Sequence, residues 1–477
     1  VTQTISAHPS ASTLGELRAL DGPWNTTSHG RPETVKDELR RNLLARLGSG
    51  EPAFPGIVGF DETVLPQVER AVIAGHDLVL LGERGQGKTR LARTLVGLLD
   101  EWIPYVAGTE LHEHPFAPVT ASTAARIAEL GDATPIAWLH RDDRYGEKLA
   151  TPDTSVGDLI GDVDPVKVAE GRTLGDPDTV HYGLVPRTNR GIFVINELPD
   201  LAERIQVALF NVLEERDVQV RGYQLRLPLD LLVVASANPE DYTNRGRIIT
   251  PLKDRFGAEV RTHYPLELSD EIDLLEQESE LVTPLPVHLV DIVARFTRHV
   301  RESPAVDHRS GVSARFAIAA AETVAASALR RAAVTGEVPT ARVIDLAAIV
   351  PAVRGKVEFD AVGTVEEGRE QEVLQHLLRR ATADAFRSLL GGLDLTALQQ
   401  RFDTGDPVVS GDLVPADELL RQVGPVSGLS QILGRLGIEA ESPGLAAAAL
   451  EFALEGLYLN RRLSKDDLGT GRVSYGG

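Results

Sequence analysis

The chain has 477 residues, is 42% hydrophobic and 5% aromatic, and is long enough for two or three domains that each bury a core. It contains no cysteine, which excludes disulfides and thiolate zinc sites, and its net charge of −21, from 70 acids against 49 bases, opposes loading onto nucleic acid. The longest apolar runs, such as DLVLLG and LLVVASAN, fall far short of the roughly 18 to 20 residues needed to cross a bilayer, so neither a membrane nor nucleic acid is expected as partner and a cytoplasmic setting is expected.

Residues 1–50 read as a polar N-terminal extension that lacks the basic start and apolar run of a secretory signal. Within it, PETVKDELRRNLLARLGSG predicts an amphipathic helix with Val35, Leu39, Leu43 and Leu44 on one face, suited to a docking arm. Residues 51–265 alternate buried-strand and helical patterns, the mark of an α/β fold with a parallel sheet covered by helices on both faces. An insertion at about 105–150 is expected on the surface. Its pair His112 and His114 is short of ligands for a closed zinc site, which favours a solvated loop. The following RDDRYGEK reads as a charged exposed face.

GERGQGKT, residues 82–89, matches G-x-x-x-x-G-K-[ST] between a predicted strand, DLVLL, and a predicted helix. Gly82, Gly85 and Gly87 let the backbone curl so that its N–H groups and the helix N-terminus face phosphates. Lys88 is expected to neutralise the β/γ oxygens and Thr89 to offer a hydroxyl to Mg²⁺. The stretch Gly82, Glu83, Arg84, Gly85, Gln86, Gly87, Lys88, Thr89 and Arg90 is therefore assigned to ATP. Upstream, PGIVGF places Ile57 and Val58 where they pack against a base, or in a turn that enters the core.

GIFVINELPD, residues 191–200, predicts a second buried strand. Such a strand in P-loop ATPases ends in an acid beside Mg²⁺ and a glutamate that orients water. Glu197 fits the second role, whereas Asn196 stands where the first acid is expected. An amide oxygen keeps the geometry, through Mg²⁺-bound water, but loses the charge. LAERIQVALFNVLEERD predicts a helix through Ile205, Leu209, Val212 and Leu213, and VQVRGYQLRLPLD a hairpin turning at Arg221-Gly222. VVASANPED then puts Asn238 just past a third buried strand, where it can position water or sense the γ-phosphate. Arg255 in TPLKDRF, or Arg245 and Arg247 in NRGR, can act as an arginine finger toward a neighbouring subunit. Each of these has a bland alternative in a surface amide or an ion pair.

After Pro265 the pattern turns to Ala-, Leu- and Arg-rich helices. A helical lid is expected over 266–355, with Arg315 at the start of one of its helices, and a helical region over 356–477 whose final ten residues fray. EFALEGLYLNRRLSKDD reads as a core helix with a snorkelling basic tail.

In this order the motifs resemble an AAA+ ATPase of the magnesium-chelatase small-subunit and MoxR-like branch. The resemblance runs from PGIVG to SARFAIAAAE. It rests on the phosphate loop, ATPDTSVGDLIGDVDP, HYGLVPRTNRGIFVINELPDL and ASANPEDYTNRGRIITPLKDRFG. It implies a P-loop AAA+ core of three layers, αβα, followed by a helical lid, and a ring, a hexamer, with ATP and Mg²⁺ at each interface. Lys88, Thr89, Glu197 and Asn238 come from one subunit and Arg255 from its neighbour; Arg315 matches the sensor-two arginine. The implied activity is ATP hydrolysis that remodels or activates a protein partner, typically one with a von Willebrand A domain. The departure is Asn196, which leaves a low-turnover ATP-dependent switch as the alternative. A transcription activator ATPase is a third reading, for which the sequence shows neither a G-A-F-T-G-A-like loop nor a terminal helix-turn-helix.

Overall fold

The computed structural model describes residues 8–477 apart from 21, 26–30, 165, 167–168, 170–178, 215–216, 221–222, 240–247, 308–310, 360–367, 405, 425–427, 439–441 and 470. The chain divides into two compact units, Val1–Tyr264 and Pro265–Gly477.

Three apolar runs of the first unit form the strands their composition demands: β1 (Leu78–Leu81), β7 (Gly191–Asn196) and β10 (Leu231–Ala237). They pair in parallel with β4 (Tyr145–Leu149) and β11 (Ala258–Arg261) in the order β11-β1-β10-β7-β4. Successive side chains of a strand point to opposite faces, and here both faces are dry. Leu78, Leu80, Ile192, Val194, Leu232 and Val234 enter one core. Val79, Leu81, Phe193, Ile195, Val233 and Ala235 enter the other. A sheet buried on both sides needs continuous rather than alternating hydrophobicity, which is why these runs are legible in the sequence. The result is a three-layer αβα unit with every strand's C-terminal end on one edge.

Smaller strands surround this sheet. β2 (Trp102–Val106) and β3 (Ile136–His140) form an antiparallel pair, as do β5 (Gly161–Val163) and β6 (Val180–Tyr182). β8 (Asp217–Val220) and β9 (Tyr223–Arg226) form the expected hairpin, with Val220 opposite Tyr223.

Several expectations are corrected. The helix Val35–Ser49 is no free arm: Val35, Leu39 and Leu43 are buried in a core of the sheet, while Leu44 is 49% exposed and lies off that face. The residues around His112 are not a solvated loop. Glu113 is buried and accepts hydrogen bonds from the Val119 and Thr120 N–H groups and from the hydroxyls of Thr120 and Thr123. His114 is also buried, and its Nδ1 accepts from the Phe116 N–H. RDDRYGEK is a charged surface only in part: Asp142 and Asp143 are exposed, but the rest of the run turns inward. Arg144 lies fully inside, bidentate to Glu38 at 2.7 and 2.6 Å, and the next five residues are β4.

In the second unit, helices Val287–Glu302, Ala314–Thr335, Arg369–Leu390 and Pro443–Leu459 share one apolar core, joined by Leu289, Phe316, Leu374 and Phe452. The stretches 266–355 and 356–477 both contribute side chains to that core. The end of the chain is ordered, contrary to expectation: β12 (Val408–Gly411), β13 (Ser464–Gly469) and β14 (Arg472–Gly476) form an antiparallel sheet in the order β12-β14-β13. Lys465 does not snorkel. It returns to Glu455 at 2.6 Å, which also accepts from the Tyr475 hydroxyl at 2.5 Å. Among the described residues no helix is long and apolar enough to cross a membrane.

Candidate nucleotide site

The C-terminal ends of β1, β7 and β10 gather the candidate residues on one edge of the sheet. β1 runs into the loop 82–87, and the helix Lys88–Thr94 starts directly behind it. Two glycines of the loop have separate reasons to be glycine. A Cβ on Gly82 would fall 1.9 Å from Thr262 Oγ1 and 2.2 Å from Gln86 Oε1. Gly87 has open space beside it but a φ of 75°, a conformation that L side chains avoid. Gln86 braces the curl from within, its Oε1 accepting from the Glu83 N–H at 3.0 Å and from the Thr262 hydroxyl at 2.9 Å. From outside, the Tyr264 hydroxyl donates to the Arg84 carbonyl at 2.8 Å. Lys88 is buried and folds back over the loop, its Nζ donating to the Gly82 carbonyl and, at 2.8 Å, to that of Glu83.

The link between the loop and the strand with the missing acid is direct. Thr89 Oγ1 donates to Asn196 Oδ1 at 3.3 Å. The same oxygen accepts from Ser236 Oγ at 3.1 Å, and Ser236 Oγ accepts in turn from the Glu197 N–H at 3.3 Å. Asn196 Nδ2 donates to Glu147 Oε1 at 2.7 Å. Glu197 itself takes φ 55° and ψ 48°, a left-handed conformation costly for a residue with a Cβ. Strain of about 1 kcal/mol or more held at a candidate catalytic acid is a mark of a built site. Asn238 is buried one residue past β10.

Arg90 Nε donates to the Gly56 carbonyl at 3.2 Å, which ties the half-buried Ile57 and Val58 to the helix behind the loop. Arg255 lies elsewhere. It ends the helix Thr250–Arg255 just before β11, whose first residue Ala258 pairs with Leu78 at the start of β1. It is therefore at the opposite end of the strands from Lys88, and it pairs with Glu214 at 2.5 Å. Arg245 and Arg247 lie outside the described residues. Arg315 is exposed in the first turn of Ala314–Thr335, in the second unit.

The donors at this edge suit a magnesium nucleotide. The Thr89 hydroxyl and the Asn196 amide oxygen are hard oxygen ligands that meet in one place, and such an ion keeps several waters and is held through few protein groups and the phosphates. Two cavities of the first unit, about 310 Å³ beside Lys253 and about 300 Å³ beside Asp230, lie away from the loop. The loop is an open cradle in which Arg84, Gly85 and Gly87 are exposed.

Sequence reasoning missed Glu147, Ser236 and Thr262. Glu147 sits in a charged run with no apolar signal. Ser236 and Thr262 are single hydroxyls whose meaning comes only from the strands they stand on.

The fold and the site are those of a P-loop protein, with the glycine-rich loop between a buried parallel strand and a helix. Over half its length the chain is similar to magnesium-chelatase subunits, as its motifs suggested. It is 28% identical over 247 residues to magnesium-chelatase subunit ChlI of Nostoc sp. strain PCC 7120, which is 50% of this chain and 61% of that protein. It is 29% identical over 241 residues to the magnesium-chelatase 38 kDa subunit of Rhodobacter capsulatus, 47% of this chain and 61% of that protein. The chain thus spans about three fifths of the length of these curated relatives. The family model described as Sigma-54 interaction domain matches residues 173–255. Among solved structures, a cryo-EM-based model of the complex between subunits BchI and BchD of magnesium chelatase is similar at 22% identity and a TM-score of 0.36, over 67% of this chain and 98% of that one.

Proposed function

We propose that the protein is an ATP-hydrolysing motor subunit that works as a ring and remodels or activates a protein partner, as the likeness to magnesium-chelatase subunits suggests. The observation that carries this reading is the contact between Thr89 and Asn196 at 3.3 Å, which unites the phosphate loop with the strand that presents Glu197. Bound Mg²⁺ would neutralise phosphate charge as it develops during cleavage. Thr89 and Asn196 would hold that ion, Asn196 through water. The backbone N–H groups of 82–87 and Lys88 would bind the phosphates, and Ile57 and Val58 the base. Glu197 would orient the attacking water with Asn238 beside it.

Arg255 would act in the neighbouring subunit's site, since its place across the sheet from Lys88 removes it from its own. Arg315, exposed at a helix start, is assigned the sensor-two role. A hexameric ring, a partner with a von Willebrand A domain, a cytoplasmic setting, and a boundary between lid and C-terminal region near residue 355 belong to the same proposal.

Steady-state ATP hydrolysis by wild type, Lys88→Ala and Glu197→Gln tests it. Turnover in wild type that both variants abolish is expected. Wild type that binds ATP but does not turn over, with or without a partner, would overturn the motor and leave the low-turnover switch. The Sigma-54 interaction match makes transcription activation the remaining alternative. Salt-resistant binding to duplex DNA, which the net charge of −21 disfavours, would bring it forward.

A further inference from the structure

Asn196 has lost an acid's charge, but a carboxylate stands directly behind it. Glu147 lies on β4, the strand next to β7, in register with Val194, and Val194 and Asn196 are two positions apart and so share a face with it. Its Oε1 accepts from Asn196 Nδ2 at 2.7 Å. The contact settles which way the amide points. An ionised carboxylate can only accept, so the NH₂ group must face Glu147 and the carbonyl oxygen must face Thr89 and Ser236. Arg93 and the Tyr145 hydroxyl donate to the same carboxylate, so every partner of Glu147 at this edge is a donor.

We propose that Glu147 is the positioning residue of the metal site: it supplies, one hydrogen bond back and from the adjacent strand, the negative charge that Asn196 lacks, and it locks the Asn196 oxygen toward the ion. The proposal rests on the ATPase reading above. It assigns the Asn-Glu ending of β7 to a working site in which the acid has changed strands. Arg93 pairs with the same carboxylate at 2.8 and 3.1 Å, but from a largely exposed position where solvent screens its charge. An ion pair tying the helix to the sheet edge would account for Arg93 and leave the oriented amide without a reason.

The experiment measures binding of a fluorescent ATP analogue to the full chain in Mg²⁺ and in EDTA, with thermal melting alongside. Glu147→Gln should leave the affinity in EDTA unchanged and weaken the Mg²⁺-dependent tightening by about 10- to 100-fold, the usual effect of losing a group that orients a metal ligand. Asn196→Asp added to Glu147→Gln returns the charge to β7 and should restore the tightening. Asn196→Asp alone should gain less than about threefold, because two carboxylates at hydrogen-bond distance cannot both ionise freely.

Unchanged Mg²⁺ dependence in Glu147→Gln, or an equal gain from Asn196→Asp in both backgrounds, would overturn the proposal. A fall in melting temperature without loss of Mg²⁺ tightening would overturn it equally and reduce Glu147 to an ion-pair partner. Should Glu147→Gln fail to fold, the double variant, which keeps one acid and one amide, carries the test against Asn196→Asp alone. Wild type that binds no analogue in either condition would instead overturn the nucleotide site itself.

Discussion

Arg255 and Lys88 stand at opposite ends of the same parallel strands, Arg255 before β11 and Lys88 after β1, with Arg255 paired to Glu214 at 2.5 Å. A guanidinium so placed cannot serve its own chain's phosphates. If it serves phosphates at all, they belong to another copy. Arg255→Ala should therefore lower ATP turnover by on the order of a hundredfold or more while leaving nucleotide affinity close to wild type. Mixing inactive Arg255→Ala with inactive Glu197→Gln should recover activity, because roughly a quarter of the interfaces in a random mixed ring combine an intact Glu197 with an intact Arg255. No recovery on mixing, with ring assembly verified, would show that Arg255 does not act in trans.

The buried pair of Arg144 and Glu38 fastens the first long helix to the edge of the sheet. Arg144 also donates through Nε to the Arg190 carbonyl at 2.8 Å, and Glu38 accepts from the Asp100 N–H at 2.7 Å. Removing one partner leaves an uncompensated charge inside, so Glu38→Ala or Arg144→Ala should each cost about 3 to 5 kcal/mol. Chemical denaturation of the full chain measures this. Losses below about 1 kcal/mol, the range of a solvent-exposed pair, would mean that water reaches the site.

Asp230 gives stability a pH dependence of uncommon sign. Its Oδ2 accepts from the Val35 N–H at 2.9 Å, yet burial raises its carboxyl to about 6, against the pull of that hydrogen bond and of Arg190. A carboxyl raised on folding stabilises most when protonated. Its contribution is complete below about pH 4 and is lost as the pH rises through about 6. Asp230→Asn keeps an acceptor for Val35 and does not titrate. Wild type should therefore lose stability relative to this variant by about 2 to 3 kcal/mol between about pH 4 and 7. Melting temperatures of both proteins across that range provide the comparison. Wild type gaining on the variant would mean that the attraction of Arg190 outweighs burial.

The parts of this molecule that were legible in the sequence are those whose physics is local. β1, β7 and β10 are continuous apolar runs, and the loop between β1 and its helix carries glycines whose need is conformational. β4 was not legible: YGEKL has one leucine, which is itself 58% exposed, and the strand is held at the sheet edge by pairing with β7 and by the buried Arg144 just before it. The helix Val35–Ser49 is legible as a helix, but part of the core it enters, on β7 and β10, lies far along the chain, so its own pattern reads as an arm. The same holds for Glu147. A carboxylate among charges carries no signal until β7 brings Asn196 beside it.

Gly82 is the position where close packing, rather than φ, demands glycine. A methyl group there would overlap the hydroxyl of Thr262 and the amide of Gln86, the two groups that brace the loop. Gln86 is long and can swing aside, whereas Thr262 is fixed by the backbone of the strand end, its N–H donating to the Leu81 carbonyl at 2.7 Å. Gly82→Ala should thus weaken binding of an ATP analogue by on the order of tenfold or more, the effect of about 1.4 kcal/mol, a modest overpacking penalty. Adding Thr262→Ala removes the nearer clash and should recover part of that affinity. Gly87→Ala, with open space around it, should be insensitive to Thr262→Ala, because its cost of about 1 to 2 kcal/mol comes from the left-handed backbone. If Thr262→Ala rescues both glycine variants alike, or neither, the two glycines do not divide the work in this way, and the contact with Thr262 does not set the shape of the loop.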